Sequence, residues 1–280
     1  MMRKTITCIG EAMVEFRRAD DQHWLQGFAG DTLNVGWALR ALLPNDDVAI
    51  QFLSRVGQDS FSNSFCDFLT NSGISTDLLE REQERTIGLY TIETDDVGER
   101  SFSYWRGQSA ARHLASEPVR LGETLASSDI VYASGITLAI LLPDHRKGFL
   151  DVLSHLKQAG TKIAFDPNIR PRLWEDPVTM RRTIETAASL ANVVLPTPPL
   201  PDVTTMTVAL FMVCFPVFQF SRCDPGKPGL TCAGTSGLSQ RFKNQLLFVE
   251  TDLGRLVHNV TGEIIRYRVE PVDGHKLRVQ

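Results

Sequence analysis

The chain has 280 residues, of which 42% are apolar and 22% are charged, a composition typical of globular domains that bury a core in water. Its 29 Lys and Arg residues against 33 Asp and Glu residues give a formal net charge of −4, so the chain has no general attraction to phosphate-rich surfaces. We therefore expect neither nucleic acid nor a membrane as a partner.

Two further features concern the cellular location. The first residues, MMRKTITCIGEAMVEF, lack the long apolar stretch of a signal peptide, and the apolar run 208–220 is shorter than the roughly 20 residues of a membrane span. The five cysteines lie far apart, without the spacing of a zinc site or a disulfide scaffold. We expect a cytoplasmic protein whose thiols are free.

Strands and helices are predicted to alternate along residues 1–196. The strand patterns cover 4–9, 48–53, 130–133, 162–165 and 193–195. The helix patterns cover 31–43, 60–69, 145–157 and 180–190, and the first of them is expected to begin with Asp31 or Thr32 as N-cap. Such alternation indicates an α/β fold with a mostly parallel central sheet between two helical layers.

Two segments depart from this alternation. Residues 12–28 and 86–106 carry strand-like patterns without a helix inside either of them, and the second contains a turn near 95–98. We expect both segments to form a small β lid outside the parallel sheet.

The pattern changes again after residue 196. Residues 197–247 follow neither the two-residue period of strands nor the 3.6-residue period of helices, so no element is assigned there. Strand-like patterns return in residues 248–280, and the sequence stops there without a further helix. We expect an incomplete C-terminal part.

Polar residues at the mouth of the first predicted helix form the first candidate site. Gly30 allows a ligand to approach the backbone, while Asp31 and Asn34 can accept from and donate to neighbouring hydroxyl groups. A plain helix cap after a tight turn explains the same residues. Gly57–Ser60, at another strand-to-helix turn, is interpreted as such a structural cap.

A second cluster follows the lid strands. Tyr90, Tyr104 and Arg106 combine aromatic walls with a guanidinium group, which binds carboxylates through two hydrogen bonds. These residue types suit a small carboxylated polyol. They also commonly cover an edge strand, and the residues by themselves favour that alternative.

A third cluster comes directly after a buried strand. Asp166 directly precedes Pro167, and Asn168 and Arg170 lie between Pro167 and Pro171, two prolines that stiffen the loop. Because the carboxyl ends of parallel strands line the ligand crevice of such sheets, this position indicates a binding site. His145, His155 and His258 lack the spacing of metal ligands, and no glycine-rich phosphate motif is present.

Six motifs together resemble a known family. IGEAMVEF, GFAGDTLNVGWALRAL, RVGQDSF, TIGLYTIETDDVGERSFSYWR, ASGITLAIL and AFDPNIRPRLW occur in this order up to about residue 196. They resemble the ribokinase-like (PfkB) carbohydrate kinases, and within them the kinases of 2-keto-3-deoxygluconate. The resemblance implies a three-layer α/β/α fold with a β lid and transfer of the ATP γ-phosphoryl group to the 6-hydroxyl of that sugar acid.

The resemblance also implies roles for individual residues. Gly30, Asp31 and Asn34 would hold the sugar hydroxyls, and Tyr90 and Tyr104 would line the sugar. Arg106 and Arg170 would engage the acid group or the phosphate, with Asn168 and Arg170 on the ATP side. ATP and Mg²⁺ are the implied cofactors, and a homodimer joined through the β lid is the implied assembly.

The C-terminal part departs from the family pattern. Pro198, Pro199 and Pro201 replace an acidic helix start that supports magnesium and phosphate, and Val279 occupies the position of the catalytic base. Because an oriented base contributes about 10² to 10⁴ in rate, we expect a poor kinase, and we hypothesise two reading-frame disturbances as the origin. The alternatives are a non-catalytic sugar-acid binder and another PfkB-type sugar kinase, such as a fructokinase.

Overall fold

The structure is a computed structural model that describes residues 3–195 and four short strands beyond them. The chain divides into two units, Met1–Phe211 and Met212–Gln280. In the second unit, two antiparallel pairs are described, each by its backbone: β11 with β12 and β13 with β14 (Val257–His258, Ile264–Ile265, Val269–Val272 and Lys276–Val279). The predictions for residues 197–247, for the incomplete C-terminal part and for the Val279 side chain lie outside the described residues.

The first unit is built on a sheet of six parallel strands in the order β10-β9-β8-β1-β4-β5. These strands are β1 (Lys4–Ile9), β4 (Val48–Val56), β5 (Leu79–Arg81), β8 (Ile130–Ser134), β9 (Lys162–Asp166) and β10 (Val193–Val194). Parallel neighbours require crossover connections, and the predicted helices supply most of them. The parallel α/β sheet expected from the sequence is therefore confirmed.

Helices cover both faces of this sheet. They are α1 (Asp31–Leu42), α2 (Ser60–Asn71), α3 (Pro118–Leu125), α4 (Gly135–Ile140), α5 (Pro143–Ala159) and α6 (Pro177–Leu190). One face packs on α1, where Cys8 of β1 lies against Gly36. The opposite face buries alternate residues such as Val131 and Phe165 against Phe149 of α5. Within residues 3–195, none of these helices is long and apolar enough to cross a bilayer.

A second sheet of four strands lies outside the parallel one. Its order is β3-β2-β6-β7, and the strands are β2 (Met13–Arg18), β3 (Trp24–Ala29), β6 (Gly88–Thr94) and β7 (Arg100–Trp105). We call this sheet the lid. Phe16 of β2 contacts Phe61 edge-to-face at 5.8 Å, and Phe28 of β3 lies 5.3 Å from Phe65, so one lid face packs on α2.

Several local predictions needed correction. The N-cap of α1 is Gly30 rather than Asp31 or Thr32, because the chain is still extended at Gly30 and Asp31 is already helical. Elements β5, α3 and α4 were missed, since three, eight and six residues are too few to display a clear hydrophobic period. The lid joins its two hairpins through a parallel contact of β2 with β6, which no local pattern encodes.

The N-cap of α2 allows a direct test of the structural role that the sequence indicated for residues 57–60. The Asp59 carboxylate accepts hydrogen bonds from the backbone N–H groups of Phe61 and Ser62, both at 3.0 Å. We expect Asp59→Ala to lower the free energy of unfolding by about 1 kcal/mol, because two N–H groups lose their partner. Urea denaturation should measure this loss. Asp67→Ala, in the same helix, should change stability by less than about 0.5 kcal/mol, and equal losses in the two variants would contradict the cap.

Candidate functional site

The candidate site lies where three chain segments meet at the carboxyl end of the parallel sheet. These segments are the connection after β1, the start of α1 and the loop after β9. A Cβ atom on Gly30 would come within 3.0 Å of the Glu11 carbonyl oxygen, so only glycine lets the start of α1 lie against that connection. The first turn of α1 is thereby held at the edge where parallel sheets bind ligands.

Asp31 and Asn168 join two of these segments. The Asn168 side chain donates a hydrogen bond of 3.0 Å to Oδ2 of Asp31. Asn168 is buried and adopts φ 32°, in the left-handed region that asparagine tolerates better than most residues. Its backbone N–H donates to Oδ1 of Asp166 at 3.0 Å, so the strand end fixes the loop and the loop fixes Asp31.

Asp166 and Tyr132 are buried polar residues beneath this pair. Both are fully inaccessible, and neither Oδ2 of Asp166 nor the Tyr132 hydroxyl has a hydrogen-bond partner. Burial raises the pKa of Asp166 to about 7, with a further increase from the Asp31 charge, while the Asn168 amide and Arg170 oppose the rise. Burial and the nearby Asp166 also raise the pKa of Tyr132.

A buried ion pair closes the site on the lid side. Arg106 donates from Nη2 to Oε2 of Glu11, and the Ser109 hydroxyl donates to Oε1 at 2.5 Å. Glu11 is 2% exposed, and burial raises its pKa although Arg106 and Ser109 act in the opposite direction. The predicted ligand-binding guanidinium therefore has a carboxylate partner on one nitrogen, which leaves its remaining N–H groups for a ligand.

The two predicted tyrosines stack in the lid. The rings of Tyr90 and Tyr104 lie 5.6 Å apart with an interplanar angle of 25°. Tyr90 is buried and its hydroxyl donates to Glu15, whereas Tyr104 is 52% exposed. Gly88, on the same face of β6 as Tyr90, is adjacent to the Glu11 carboxylate. The aromatic pair thus continues the face that begins at the buried ion pair.

Two predicted residues stand apart from these contacts. Asn34 lies half-buried in the first turn of α1, where its backbone N–H donates to Gly30 at 2.8 Å. Arg170 is half-buried and donates to the Ile169 carbonyl at 3.2 Å. In the part of the chain that the structure describes, no hydrogen bond reaches the Asn34 carboxamide and no carboxylate forms an ion pair with Arg170.

The described residues fit the phosphate groups of ATP better than they fit Mg²⁺. Arg170 offers several N–H donors without a competing ion pair, which suits a phosphate or carboxylate group. Across residues 3–195, no three His, Cys, Asp or Glu side chains approach closely enough to hold a metal ion. Binding of Mg²⁺ therefore stays a prediction.

Sequence reasoning missed Glu11 and Tyr132. Glu11 is a lone carboxylate in an apolar stretch directly after a strand, and that isolation was the available signal. Tyr132 lies inside a buried strand, where a tyrosine needs a polar partner for its hydroxyl. Asp31, Asn168 and Arg170 had been selected from their positions at a helix start and after a strand, and Tyr90, Tyr104 and Arg106 from their residue types on and after the lid strands.

Comparison with known proteins covers mainly the first unit. The family model described as pfkB family carbohydrate kinase matches residues 3–199. The chain is 38% identical over 185 residues to a 2-dehydro-3-deoxygluconokinase of Dickeya dadantii, covering 65% of this chain and 59% of that protein. It is 41% identical over 177 residues to the 2-dehydro-3-deoxygluconokinase of Escherichia coli K12, covering 62% and 56%. A fructokinase of Vibrio alginolyticus is 27% identical over 185 residues, covering 66% and 57%. The chain thus spans less than two thirds of each relative.

Solved structures give the same assignment. A PfkB protein from Polaromonas matches with a TM-score of 0.62 and 25% identity, covering 69% of this chain and 65% of that one. A fructokinase from Xylella fastidiosa with bound ATP matches with a TM-score of 0.59 and 26% identity, covering 69% and 57%. The parallel sheet, the lid and the family match over most of the chain lead to one conclusion: this chain belongs to the pfkB family of carbohydrate kinases.

Proposed function

We propose that the chain binds 2-dehydro-3-deoxygluconate, also called 2-keto-3-deoxygluconate, beneath the lid as the acceptor of a phosphoryl group from ATP. The observation that carries this proposal is the hydrogen-bonded pair of Asp31 and Asn168, which lies at the carboxyl end of the sheet with Arg170 in the same loop. A carboxylate beside a carboxamide suits a polyol, and a guanidinium suits its acid group. Relatives named 2-dehydro-3-deoxygluconokinase support the choice.

Each residue has a task in this proposal. Asp31 accepts hydrogen bonds from sugar hydroxyls, and Asn34 donates and accepts with its carboxamide. Arg170 pairs with the sugar carboxylate or a phosphate, and Arg106 uses the N–H groups that Glu11 leaves. The stacked rings of Tyr90 and Tyr104 provide an apolar wall against the carbon chain.

The proposed reaction transfers the γ-phosphoryl group to the 6-hydroxyl, with ADP as the leaving group and the hydroxyl proton released. ATP, accompanied by Mg²⁺, would supply the phosphoryl group, and Asn168 with Arg170 would face its phosphates. Positioning and charge stabilisation dominate such reactions. With Val279 at the position of the family's base, we propose weak turnover and retained sugar binding.

Calorimetry with Arg170→Gln tests the acid specificity. We expect the Kd for 2-dehydro-3-deoxygluconate to rise at least about tenfold, because a two-point contact with the carboxylate is lost. Arg172→Gln is the matched control, since Arg172 is an exposed arginine two residues away. An equal rise in Kd for both variants would contradict the proposed contact of Arg170 with the substrate carboxylate.

A neutral ketose separates the proposal from the fructokinase alternative, which the Vibrio alginolyticus relative supports. We expect the unmodified protein to bind the sugar acid at least about tenfold more tightly than fructose, a difference of about 1.4 kcal/mol. Tighter binding of fructose would favour the alternative. An ATP-coupled assay on the same samples separates a kinase from a non-catalytic binder, because the binder shows heat of binding without ADP formation.

Two further features belong to the proposal. Half-exposed aromatic residues on the lid, Phe102 and Tyr104, provide apolar area for a homodimer joined through the two lids. Analytical ultracentrifugation tests this assembly. The cytoplasmic location expected from the sequence stays a prediction.

A further inference from the structure

Three polar atoms are buried without a hydrogen-bond partner under the start of α1. They are the Thr32 hydroxyl, the Tyr132 hydroxyl and Oδ2 of Asp166. Tyr132 pairs in register with Cys8 of β1, which packs against α1, and with Ala164 of β9. Asp166 lies two residues beyond Ala164 and therefore on the same face of the sheet. The unpartnered carboxylate oxygen thus lies in a polar cluster between the sheet and α1.

Charged groups of both signs face Asp166. Asp31 of α1 is an anion, Tyr132 of β8 is neutral, and Arg170 in the following loop is a cation. The thiol of Cys8 interacts with Tyr132 in the same cluster. A buried carboxylate with one oxygen unpaired and another carboxylate nearby is held at an energetic disadvantage in its charged form.

We propose that Asp166 carries a proton in the complex with the sugar acid, and that this proton removes a negative charge that would oppose pairing of the substrate carboxylate with Arg170. This inference rests on the proposed function and concerns the same pocket. Asp166 acts here as a positioning residue through Arg170, and it makes the affinity for an acidic sugar depend on pH.

Asp166 and the substrate carboxylate would both be attracted to one cation, Arg170. When Asp166 is ionised, its charge and that of Arg170 attract each other without forming a direct ion pair, so an incoming carboxylate meets a weaker positive potential and a like charge nearby. When Asp166 is protonated on Oδ2, Oδ1 still accepts the hydrogen bond of the Asn168 amide. Asn168 therefore keeps its place against Asp31, and only the charge changes.

The sign of the pH effect follows from the pKa of Asp166, which burial raises to about 7. Below this value the carboxyl is neutral and the site favours an anion. Above this pKa the carboxyl group is ionised, and its negative charge disfavours the binding of an anion. Because a single proton is involved, the Kd for the sugar acid should rise by about three- to eightfold between pH 6.5 and pH 8.

Calorimetric titration of the full chain with 2-dehydro-3-deoxygluconate at pH 6.5 and pH 8 tests the inference. The unmodified protein should lose affinity over this range, whereas Asp166→Asn, which is neutral at both values and keeps the acceptor Oδ1, should bind with the same Kd at both. Asp151→Asn, on the exposed side of α5, is the charge-matched control and should retain the pH effect. An unchanged pH effect in Asp166→Asn overturns the inference.

A second measurement needs no variant. Titrating the unmodified protein at pH 7.5 in two buffers of different ionisation enthalpy gives the number of protons taken up on binding. We expect net proton uptake with the sugar acid and none with fructose. Binding of the sugar acid without proton uptake would overturn the inference and leave the proposed function standing.

The melting temperature of the protein without ligand tests the protonation of Asp166 separately from substrate binding. An acid whose pKa is raised by folding destabilises the fold progressively from about pH 4 to about pH 7, so Asp166→Asn should melt at a higher temperature than the unmodified protein, by more at pH 8 than at pH 5. If no sugar acid binds at any pH, the proposed function fails and the inference about substrate fails with it. If the melting difference is equal at both pH values, Asp166 is not protonated and the inference fails independently.

Discussion

Gly135→Ala is expected to lower the free energy of unfolding by about 3 kcal/mol or more and to abolish binding of the sugar acid. Gly135 is the first residue of α4, and a Cβ atom there would overlap the Pro167 carbonyl oxygen. That oxygen belongs to the backbone between Asp166 and Asn168, so it cannot turn aside as a flexible side chain does. Overpacking of this kind forces backbone shifts, and the shift would move Asn168 away from Asp31.

Urea denaturation and calorimetric titration of the same preparation measure the two effects. Gly107→Ala is the matched control, because a Cβ atom at Gly107 would meet nothing within 4 Å. The control should keep its stability within about 0.5 kcal/mol and its affinity within a factor of about two. A stable Gly135→Ala protein with normal affinity would mean that the loop after β9 tolerates displacement.

Arg146→Ala should be the most damaging substitution far from the candidate site, with a loss of about 3 to 5 kcal/mol in the free energy of unfolding. The guanidinium is buried and donates to the Leu138 carbonyl at 2.9 Å and the Leu141 carbonyl at 3.1 Å. It also pairs with both carboxylate oxygens of Glu175, at 2.8 and 3.2 Å, and lies 4.8 Å from the Trp174 ring centre. Removing it leaves the two carbonyl oxygens of the buried residues Leu138 and Leu141 without this partner, whereas the exposed Glu175 carboxylate can be solvated by water.

Thermal and urea unfolding of this variant should be compared with Arg181→Ala, an exposed arginine on α6. Arg181→Ala is expected to change the free energy of unfolding by less than about 0.5 kcal/mol. Losses below about 1 kcal/mol for Arg146→Ala would mean that water replaces the guanidinium at these carbonyls. Glu175→Gln, which keeps one acceptor for Arg146, should fall between the two arginine variants.

The parallel sheet could be predicted because its strands and long helices carry strong periods. β1 and β9 are short apolar runs followed by turn residues, and α5 ends at Gly160, whose positive φ suits a helix C-cap. Pairing of distant strands is different, since it depends on which faces meet in three dimensions. The parallel contact of β2 with β6 and the edge position of β5 were therefore not accessible from local patterns.

The candidate site likewise contains residues that local sequence patterns indicated and residues that only three-dimensional contacts revealed. Asp31, Asn168 and Arg170 were selected as candidates because they follow a strand or begin a helix at the edge of the sheet where such folds bind ligands. Glu11 and Tyr132 were not found, since their chemistry depends on burial and on neighbours from other strands. The ion pair of Glu11 with Arg106 joins positions that no spacing rule connects. The sequence identified polar residues at the edge of the candidate site, and only the structure revealed the buried charged groups beneath them.

The parallel contact of β2 with β6 also has a consequence for how the polypeptide acquires its shape. Between these two strands the chain forms β3, α1, β4, α2 and β5, so the partners are brought together only after a long loop closes. Non-local pairing of this kind slows folding, because the entropy of closure is lost before the contacts form. The lid should accordingly be completed late, and a nascent chain that has not yet extended past Thr94 can pair β2 only with β3.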